Sequence, residues 1–263
     1  MDINGATELL AIVGDPLVQA RSPSLVNSAL AKLNRNAVLV PMQVTTPNLK
    51  SVLDGLRRTE NFRGAIVTMP HKETVMQLLD DVAPEARLVG ACNLLRRHKD
   101  GRLSGTMLDG EGFIAGFRSA GFDVRGKRIF LAGAGGAAAG LAHAMGKYGA
   151  ASLTIYNRTR ARAEILAERV QIAWPTMRVN VGGPSPAGCD VVINGTSLGM
   201  AVTDPLPCDP IGFGQGTIAA EVVIQDQLTP FLSEAIKHGC DIHLGFHMLK
   251  NQIDLMIGFM LEA

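Results

Sequence analysis

The sequence predicts an α/β protein of two domains. Three observations predict it. Strand-like and helix-like segments alternate up to a polar, glycine-rich junction at 108–112, a glycine-rich turn joins a strand to an Ala-rich helix at 129–140, and strand-like segments continue beyond it. We assign residues 1–106 to the first domain, completed by 240–263, and residues 107–239 to the second. The expected place for a ligand is the cleft between the two domains.

The first domain is predicted as β-α-β-α-β followed by a hairpin. Apolar runs of strand length alternate with segments whose apolar residues recur at helical spacing, such as Leu49, Leu53 and Leu56. Lys99-Asp100-Gly101 is a hairpin turn signal between two further strands. The predicted strands are 9–13, 37–44, 64–67, 92–96 and 103–106, and the predicted helices are about 23–33, 47–58 and 72–79.

The second domain is predicted to begin with a helix that opens at the junction. Its strands are expected near 128–132, 152–156, 177–181, 190–194 and 218–223. Helices are expected to fill the first gaps between these strands, and the later crossovers look like short loops. A strongly apolar last helix, about 248–261, is expected to pack onto the first domain, because the second sheet already has its strands.

Composition excludes several classes of function. The 263 residues carry 25 basic and 24 acidic side chains, a formal net charge of +1, which indicates neither a nucleic acid nor a membrane surface as a partner. The apolar stretches are too short for a membrane-spanning helix, and the N-terminus lacks the pattern of a signal peptide. The four cysteines include no C-x-x-C pair, which indicates reduced thiols in a cytoplasmic protein without a metal site.

The most informative segment runs from Ile129 to Gly140. An apolar strand stops at Gly133, and Gly135, Gly136 and Ala137 lead into an Ala-rich helix. Glycines let a pyrophosphate approach the backbone, and the helix N-terminus behind them offers free N–H groups and the positive end of its dipole. The alternative is a strand–turn–helix whose glycines serve packing alone. The pattern favours a Rossmann-type dinucleotide-binding domain.

The end of the following strand indicates which dinucleotide. Asn157 and Thr159 alternate there with Arg158, Arg160 and Arg162. A domain that binds NAD usually places an acid here for the ribose 2′-hydroxyl, whereas guanidinium groups pair bidentately with a phosphate. NADP is therefore the expected cofactor and NAD is less suited. Arg158 and Arg162 are expected to hold the 2′-phosphate, and Thr159 to cap the helix or contact the phosphate.

Polar residues near predicted strand ends are candidates for chemistry. Lys72 follows a strand and a Pro-fixed turn, which suits an acid/base group or a substrate anchor, the alternative being a solvated lysine. Asp109 is either a functional carboxylate, whose neighbouring glycines let a ligand approach, or a helix N-cap. Asn93 offers a donor and an acceptor, or serves as a turn residue. His71 is more typical of a bystander.

These segments, taken in order, resemble the shikimate dehydrogenase family over nearly the whole chain. The resemblance is carried by Gly14-Asp-Pro-Leu, Arg21-Ser-Pro-Ser24, Val67-Thr-Met-Pro-His-Lys-Glu73, Gly90-Ala-Cys-Asn93, Asp109-Gly-Glu-Gly112, Gly133-Ala-Gly-Gly136, Asn157-Arg-Thr159 with Arg162, Asn194-Gly-Thr-Ser-Leu-Gly-Met200, and Met248-Leu249 with Gln252.

The resemblance implies an NADP-dependent enzyme that interconverts shikimate and 3-dehydroshikimate by hydride transfer. It implies two α/β domains, with NADP held on the second and the active site in the cleft between them. Lys72 and Asp109 become the catalytic pair. The implied substrate contacts are Ser22, Thr68, Asn93 and Gln252, and the implied cofactor contacts are Gly133, Gly135, Gly136, Ala137, Asn157, Arg158, Thr159, Arg162, Thr196, Met200 and Gly245.

The chain departs from the family pattern around the expected substrate pocket. The replacements are Ala20 for a serine, Ile66 for an asparagine, Met107-Leu108 for Asn-Thr, Ile224 for a tyrosine and Glu221 for an aspartate. A lost hydrogen bond to a charged group is worth roughly 1.5–3 kcal/mol. The chemistry therefore transfers more directly than the substrate, which is shikimate or a related cyclic hydroxy acid such as quinate or a less polar analogue.

Two alternatives belong to other classes of protein. A sensor would bind NADP on the same fold without turnover, but a pure binder does not need both Lys72 and Asp109. A folate dehydrogenase or a methyltransferase would share a two-domain layout, but the arginines after Tyr156 argue against S-adenosylmethionine, whose ribose is normally held by an acid at that strand end. The chain is expected to act as a monomer or a homodimer.

Overall fold

Strands and helices alternate along the chain in the computed structural model, which describes residues 2–261. The elements up to the junction are β1 (Glu8–Gly14), α1 (Ser22–Lys32), β2 (Ala37–Gln43), α2 (Leu49–Arg57), β3 (Phe62–Val67), β4 (Asp81–Val82), α3 (Pro84–Val89), β5 (Leu94–Arg97) and β6 (Leu103–Thr106). The elements after it are α4 (Asp109–Ser119), β7 (Arg128–Ala132), α5 (Gly136–Lys147), β8 (Ser152–Tyr156), α6 (Arg160–Ala173), β9 (Arg178–Val181), β10 (Val191–Asn194), β11 (Ile218–Glu221), α7 (Pro230–Lys237), β12 (Asp241–His243), α8 (Gly245–Lys250) and α9 (Ile253–Leu261).

The first compact unit comprises the chain up to Leu108 and the segment from Gln252. Its sheet has the order β2-β1-β3-β5-β6-β4. Strand β1 pairs in parallel with β2 and β3, and β5 runs antiparallel to both β3 and β6, which confirms the predicted hairpin. Since β5 is reversed, the carboxyl ends of β1 and β3 lie at the same edge of the sheet as the start of β5.

Helix α9 packs on the first sheet because its sequence is apolar. It contacts β3, β5 and α1, and buries Ile253, Met256, Ile257 and Met260. A Cβ atom at Gly64 of β3 would lie 2.8 Å from Cγ of Met260, so the glycine lets the helix approach the sheet closely. The segment from Gln252 thus belongs to the first compact unit.

The second compact unit spans Asp109–Asn251 and contains an all-parallel sheet of order β12-β11-β10-β7-β8-β9. The chain moves outward from β7 through β8 to β9 and then returns to place β10 on the other side of β7. Parallel sheets of this kind bind ligands at the carboxyl ends of the strands, where the winding direction changes. That position lies after β7 and β10. One buried hydrophobic cluster contains Phe130 of β7 together with Val192, Phe231 and Leu232.

Several predicted elements differ from the structure. The segment 72–79 holds only a short 3-10 turn, Thr74–Leu78. The single last helix is two helices, α8 and α9, and the predicted boundary at 240 differs because β12 pairs with β11 and extends the second sheet. One later crossover contains α7 where the sequence predicts a short loop. Among the described residues, no helix is both long and apolar enough to cross a bilayer.

Candidate active site

In the first unit, polar residues gather at the edge where β1 and β3 end and β5 begins. The turn Thr68–Lys72 follows β3 directly, and the Thr68 N–H donates to the Val13 carbonyl oxygen of β1 at 2.9 Å. Cys92, just before β5, donates its N–H to the Lys72 carbonyl oxygen at 2.8 Å. The backbone of the turn is thus tied to both neighbouring strands, and Lys72 is held half-buried at the edge of the sheet.

His71 in this turn serves the fold. Its ring is fully buried, and Nε2 lies 2.6 Å from the Val44 carbonyl oxygen, which makes Nε2 the donor. Within residues 2–261, Nδ1 has no hydrogen-bond partner. A ring fixed to the backbone in this way anchors the turn that carries Lys72, in agreement with the bystander interpretation.

Asn93 is the centre of a buried hydrogen-bond network. Its Nδ2 donates to Oε1 of Gln252 at 3.2 Å, and its Oδ1 accepts the Leu108 N–H at 2.8 Å. Asn93 and Gln252 are each about 1 % exposed. The network joins two predicted substrate contacts and holds the residue directly before Asp109. Burial raises the pKa of the adjacent Cys92 thiol to about 12, so that thiol is not a nucleophile.

The remaining first-unit candidates lie on neighbouring elements. Ser22 is buried and begins α1, after the loop that leaves β1, and Thr68 is half-buried at the end of β3. Two of the departures from the family pattern are buried apolar residues: Ile66 in β3, at 4 % exposure, and Met107, at 5 %. These positions contribute carbon where the family pattern has amide groups.

Asp109 is the first residue of α4 and of the second unit, and it is 3 % exposed. The glycine beside it has a structural use that the sequence analysis missed. A Cβ atom at Gly110 would lie 2.5 Å from the Gly140 carbonyl oxygen and 2.8 Å from Cβ of Ala144, both in α5. Gly110 therefore lets α4 pack closely on α5, and the expectation that it makes room for a ligand is corrected. Asp109 is thereby placed relative to the helix that follows the glycine-rich turn.

The glycine-rich turn after β7 has the features of a dinucleotide cradle. Gly133 has φ +115°, a conformation that side-chain-bearing residues rarely adopt, and a Cβ there would lie 3.0 Å from the Gly195 carbonyl carbon. Around Gly135, in contrast, a Cβ would meet nothing within 4 Å. No side chain caps the N-terminus of α5, which begins at Gly136 and continues with Ala137. The turn therefore leaves backbone N–H groups open to a bound anion.

The three arginines after β8 lie in different surroundings. Arg160 pairs with Glu164 one turn along α6, with Nε and Oε1 2.9 Å apart. Arg158 is exposed, and no described residue forms an ion pair with it. Thr159 precedes α6 without capping it by a side-chain hydrogen bond, which corrects the capping expectation, while Asn157 donates Nδ2 to the Thr159 carbonyl oxygen at 2.9 Å. Arg158 and Arg162 both have exposed side chains.

After β10 the chain forms a tight polar turn. Thr196 donates its N–H and its hydroxyl to Oδ1 of Asn194, at 3.0 and 2.7 Å, and Asn194 Nδ2 donates to the Leu198 carbonyl oxygen at 2.8 Å. Asn194 is fully buried, whereas Met200 is 39 % exposed at the end of the turn. The turn places Thr196 beside Gly133, since the added Cβ at Gly133 would lie 3.1 Å from Cγ2 of Thr196.

Gly245 and Glu221 are two further residues of this unit. A side chain at Gly245 would collide with the backbone of Val222 and Val223, so close packing requires a glycine there. Glu221 ends β11 with a buried carboxyl group, and burial raises its pKa to about 7, against the lowering effect of hydrogen bonds from Thr229 and Asn194. From the sequence, Glu221 is visible only as a departure from the family's aspartate. The signal was an acid at the end of an otherwise apolar strand.

Among the described residues no cluster of three or more histidine, cysteine or acidic side chains is arranged to hold a metal ion. The chemistry available to this chain's own side chains is that of a lysine and carboxylates near strand ends and helix starts. The turn after β7 adds backbone N–H groups without a side-chain cap, and the segment after β8 adds exposed arginines.

The chain matches two family models. Residues 12–95 match the shikimate dehydrogenase substrate binding domain, and residues 117–202 match shikimate / quinate 5-dehydrogenase. The first match lies within the first unit and the second within the second unit.

Curated relatives match over most of the chain. A shikimate dehydrogenase (NADP(+)) of Rubrobacter xylanophilus is 41 % identical over 208 residues, covering 78 % of this chain and 73 % of the relative. The enzyme of the same name from Symbiobacterium thermophilum is 36 % identical over 261 residues, covering 94 % of this chain and 87 % of the relative.

Solved structures share the fold over nearly the full length. Shikimate 5-dehydrogenase from Thermus thermophilus, in complex with NADP(H) and shikimate, has a TM-score of 0.87 and 29 % identity over 98 % of this chain and 94 % of that one. Shikimate 5-dehydrogenase from Listeria monocytogenes, with shikimate and NAD, has a TM-score of 0.88 and 29 % identity over 100 % and 94 %. A 5-ketofructose reductase from Gluconobacter has a TM-score of 0.84 and 29 % identity over 98 % and 94 %.

Proposed function

We propose, since this chain belongs to the shikimate dehydrogenase family, that it is an NADP-dependent oxidoreductase acting on a CH–OH group. It interconverts shikimate and 3-dehydroshikimate, or a close cyclic hydroxy-acid analogue, by hydride transfer. It works on a small-molecule substrate as a monomer or homodimer in the cytoplasm. The observation that carries the proposal is the uncapped start of α5 behind an open Gly135, followed by exposed arginines after β8.

The residues present fit NADP. The turn of Gly133, Gly135, Gly136 and Ala137 would hold the pyrophosphate, because no side chain occupies the space beside Gly135. Arg158 and Arg162 hold the 2′-phosphate, with Asn157 and Thr159 beside them, whereas Arg160 is committed to Glu164. Thr196, Met200 and Gly245 would complete the site on the nicotinamide side, where the exposed Met200 would be available to pack against the ring.

A bound NADP supplies the hydride acceptor, or the donor in the reverse direction. The chain's own task is to orient the substrate and to move one proton at the hydroxyl oxygen that becomes the carbonyl. We assign that proton transfer to the pair of the Lys72 ammonium and the Asp109 carboxylate. Proton transfer of this kind requires an acid/base group positioned within hydrogen-bond reach of the hydroxyl.

The substrate contacts are assigned to Ser22, Thr68, Asn93 and Gln252. Ser22 donates to the substrate carboxylate, and Asn93 and Gln252 present a pre-organised amide pair, since each already fixes the other. Pre-organised donors discriminate strongly, because a substrate without the matching hydroxyl leaves them unpaired. Five apolar residues limit which polar groups a bound substrate can carry. They are Ala20, Ile66, Met107, Leu108 and Ile224.

An assay of substrate oxidation with NADP+ tests this function. Shikimate, quinate and a panel of less polar cyclic alcohols are compared by the absorbance of NADPH, each with NADP+ and with NAD+. We expect the highest kcat/KM for shikimate or one analogue, and a preference for NADP+. Binding of NADP without turnover of any member of the panel would support a sensor and overturn the assignment. Because a 5-ketofructose reductase shares this fold, the assay should also include the reduction of a ketose.

A further inference from the structure

A buried acid at the end of β11 links two segments at the carboxyl edge of the second sheet. Glu221 is 2 % exposed, and its Oε2 accepts the Thr229 hydroxyl at 2.9 Å. It also accepts a hydrogen bond from the side chain of Asn194, which faces it in register on β10. A carboxyl group costs free energy to bury unless its oxygens are hydrogen-bonded. This one is bonded on two sides, by residues from two different segments.

The Asn194 side of this link sets the turn after β10. Asn194 binds Thr196 through its oxygen and the Leu198 carbonyl through its nitrogen. The Leu198 N–H in turn donates to Oγ1 of Thr196 at 3.0 Å. The conformation of residues 194–200 therefore depends on which way the Asn194 amide points. Glu221 accepts from that amide nitrogen and so fixes its orientation.

The Thr229 side of the link sets the segment after β11. Oγ1 of Thr229 accepts the Leu232 N–H at 3.2 Å and thereby caps α7. Thr229 also lies under the turn, because a Cβ atom at Gly199 would be 3.3 Å from its Cβ. From the same segment, Gln225 donates Nε2 to the Met200 carbonyl oxygen at 2.6 Å. The two segments thus contact each other at Gly199 and at Met200.

We propose that Glu221 is a positioning residue that orients the 194–200 turn for cofactor binding, through Asn194 on one side and Thr229 on the other. The inference rests on the proposed function, which places Thr196 and Met200 against NADP. It identifies a residue that touches neither ligand and yet determines cofactor affinity. Burial raises the pKa of this carboxyl group to about 7, while the hydrogen bonds from Thr229 and Asn194 favour its charged, accepting form.

Variants at Glu221 test this inference by separating cofactor binding from substrate binding. Glu221→Leu removes both acceptors, and we expect the NADP dissociation constant and KM to rise at least tenfold, with the KM for shikimate unchanged within about twofold. Glu221→Gln keeps the shape of the side chain and the acceptor for Thr229 but loses the acceptor for Asn194, so its NADP affinity should lie between those of the wild type and Glu221→Leu. Calorimetric titration with NADP gives affinity without requiring turnover.

Asp190→Asn is the matched control. Asp190 precedes β10 at its other end and pairs with Arg128, Oδ1 to Nη2 at 2.8 Å. Its loss should lower the melting temperature without changing NADP affinity. Thr229→Val gives a second disruption in case Glu221→Leu does not fold, and it should also weaken NADP binding. If Glu221→Leu binds NADP as the wild type does, this inference is wrong and the proposed function stands. If the wild type does not bind NADP, both fail.

Discussion

The two compact units hold their candidate site residues by different means. In the first unit, buried side chains hold one another, as Asn93 holds Gln252 and the backbone of Leu108. In the second unit, the candidate binding groups are backbone groups at Gly135 and the uncapped start of α5, and the arginines at 158 and 162 are exposed. A side-chain network recognises one small molecule, because any mismatch leaves a buried group unpaired. A backbone cradle recognises a phosphate wherever it occurs, and exposed arginines select among dinucleotides.

This difference predicts that substitutions in the first unit act on chemistry. Lys72→Ala should lower kcat by about 10²–10⁴-fold, the usual contribution of a positioned acid/base group. The fold should be retained, because backbone hydrogen bonds tie the turn to β1 and to Cys92. Steady-state kinetics and thermal melting measure the two effects.

Lys50→Ala is the control for this prediction. Lys50 lies in the same unit but is exposed, and its Nζ pairs with Oδ2 of Asp54 at 2.6 Å. It should leave kcat unchanged. Near-full turnover of Lys72→Ala would show that the proton passes through another group. The prediction that substitutions in the first unit act on chemistry would then be wrong.

Substitutions among the exposed arginines should act on the cofactor alone. Arg158→Ala removes a charged hydrogen bond worth roughly 1.5–3 kcal/mol, so the KM for NADP should rise about 10- to 100-fold. The KM for NAD should change little, since NAD lacks the 2′-phosphate. Kinetics with both dinucleotides measure the difference.

Arg160→Ala is the matched control because its guanidinium is paired with Glu164. It should change the two KM values equally and only slightly. An equal effect of Arg158→Ala on NADP and NAD would remove the assignment of the 2′-phosphate.

A third prediction concerns the stability of the second unit and its pH dependence. His243 is 1 % exposed, both ring nitrogens lack partners among the described residues, and burial lowers its pKa to about 4, with a smaller contribution from His247. The unfolded chain therefore takes up a proton below pH 6.5 that the folded chain does not, and folding weakens as the pH falls from 6.5 towards 4.

His243→Phe should remove this penalty while keeping the ring contacts with Phe113 and Phe117. At pH 5.5 the free energy of unfolding should exceed that of the wild type by about 1 kcal/mol more than it does at pH 7.5. Urea unfolding at the two pH values measures this. His143, with a similarly lowered pKa, contributes equally to both proteins. If the difference in free energy of unfolding between the two proteins did not change with pH, the prediction would be wrong. An altered kcat at pH 7.5 would show that a substitution in the second unit also affects the chemistry.

Local signals made the second unit easier to predict than the first. The strand ending at Gly133 and the helix from Gly136 appear where the sequence pattern puts them, because turn geometry and strand length depend on neighbouring residues. The arginines after β8 indicated a phosphate for the same local reason. Elsewhere, contacts between residues far apart in the sequence made the structure differ from what the pattern predicts. The apolar periodicity through 248–261 continues across Asn251 and Gln252, but Gln252 turns its amide to Asn93, and the helix divides there.

The amino-acid sequence by itself determined the strand–turn–helix units, the glycine turn with its arginines and the family to which the chain belongs, because each depends on residues close together in the chain. Only the tertiary structure decided that Gly110 serves helix packing, that Arg160 is paired, and that Glu221 joins Asn194 to Thr229. The reason is physical. Which hydrogen bonds a buried polar group makes, and which glycine meets a backbone, depend on strands and helices that come together only when the chain folds.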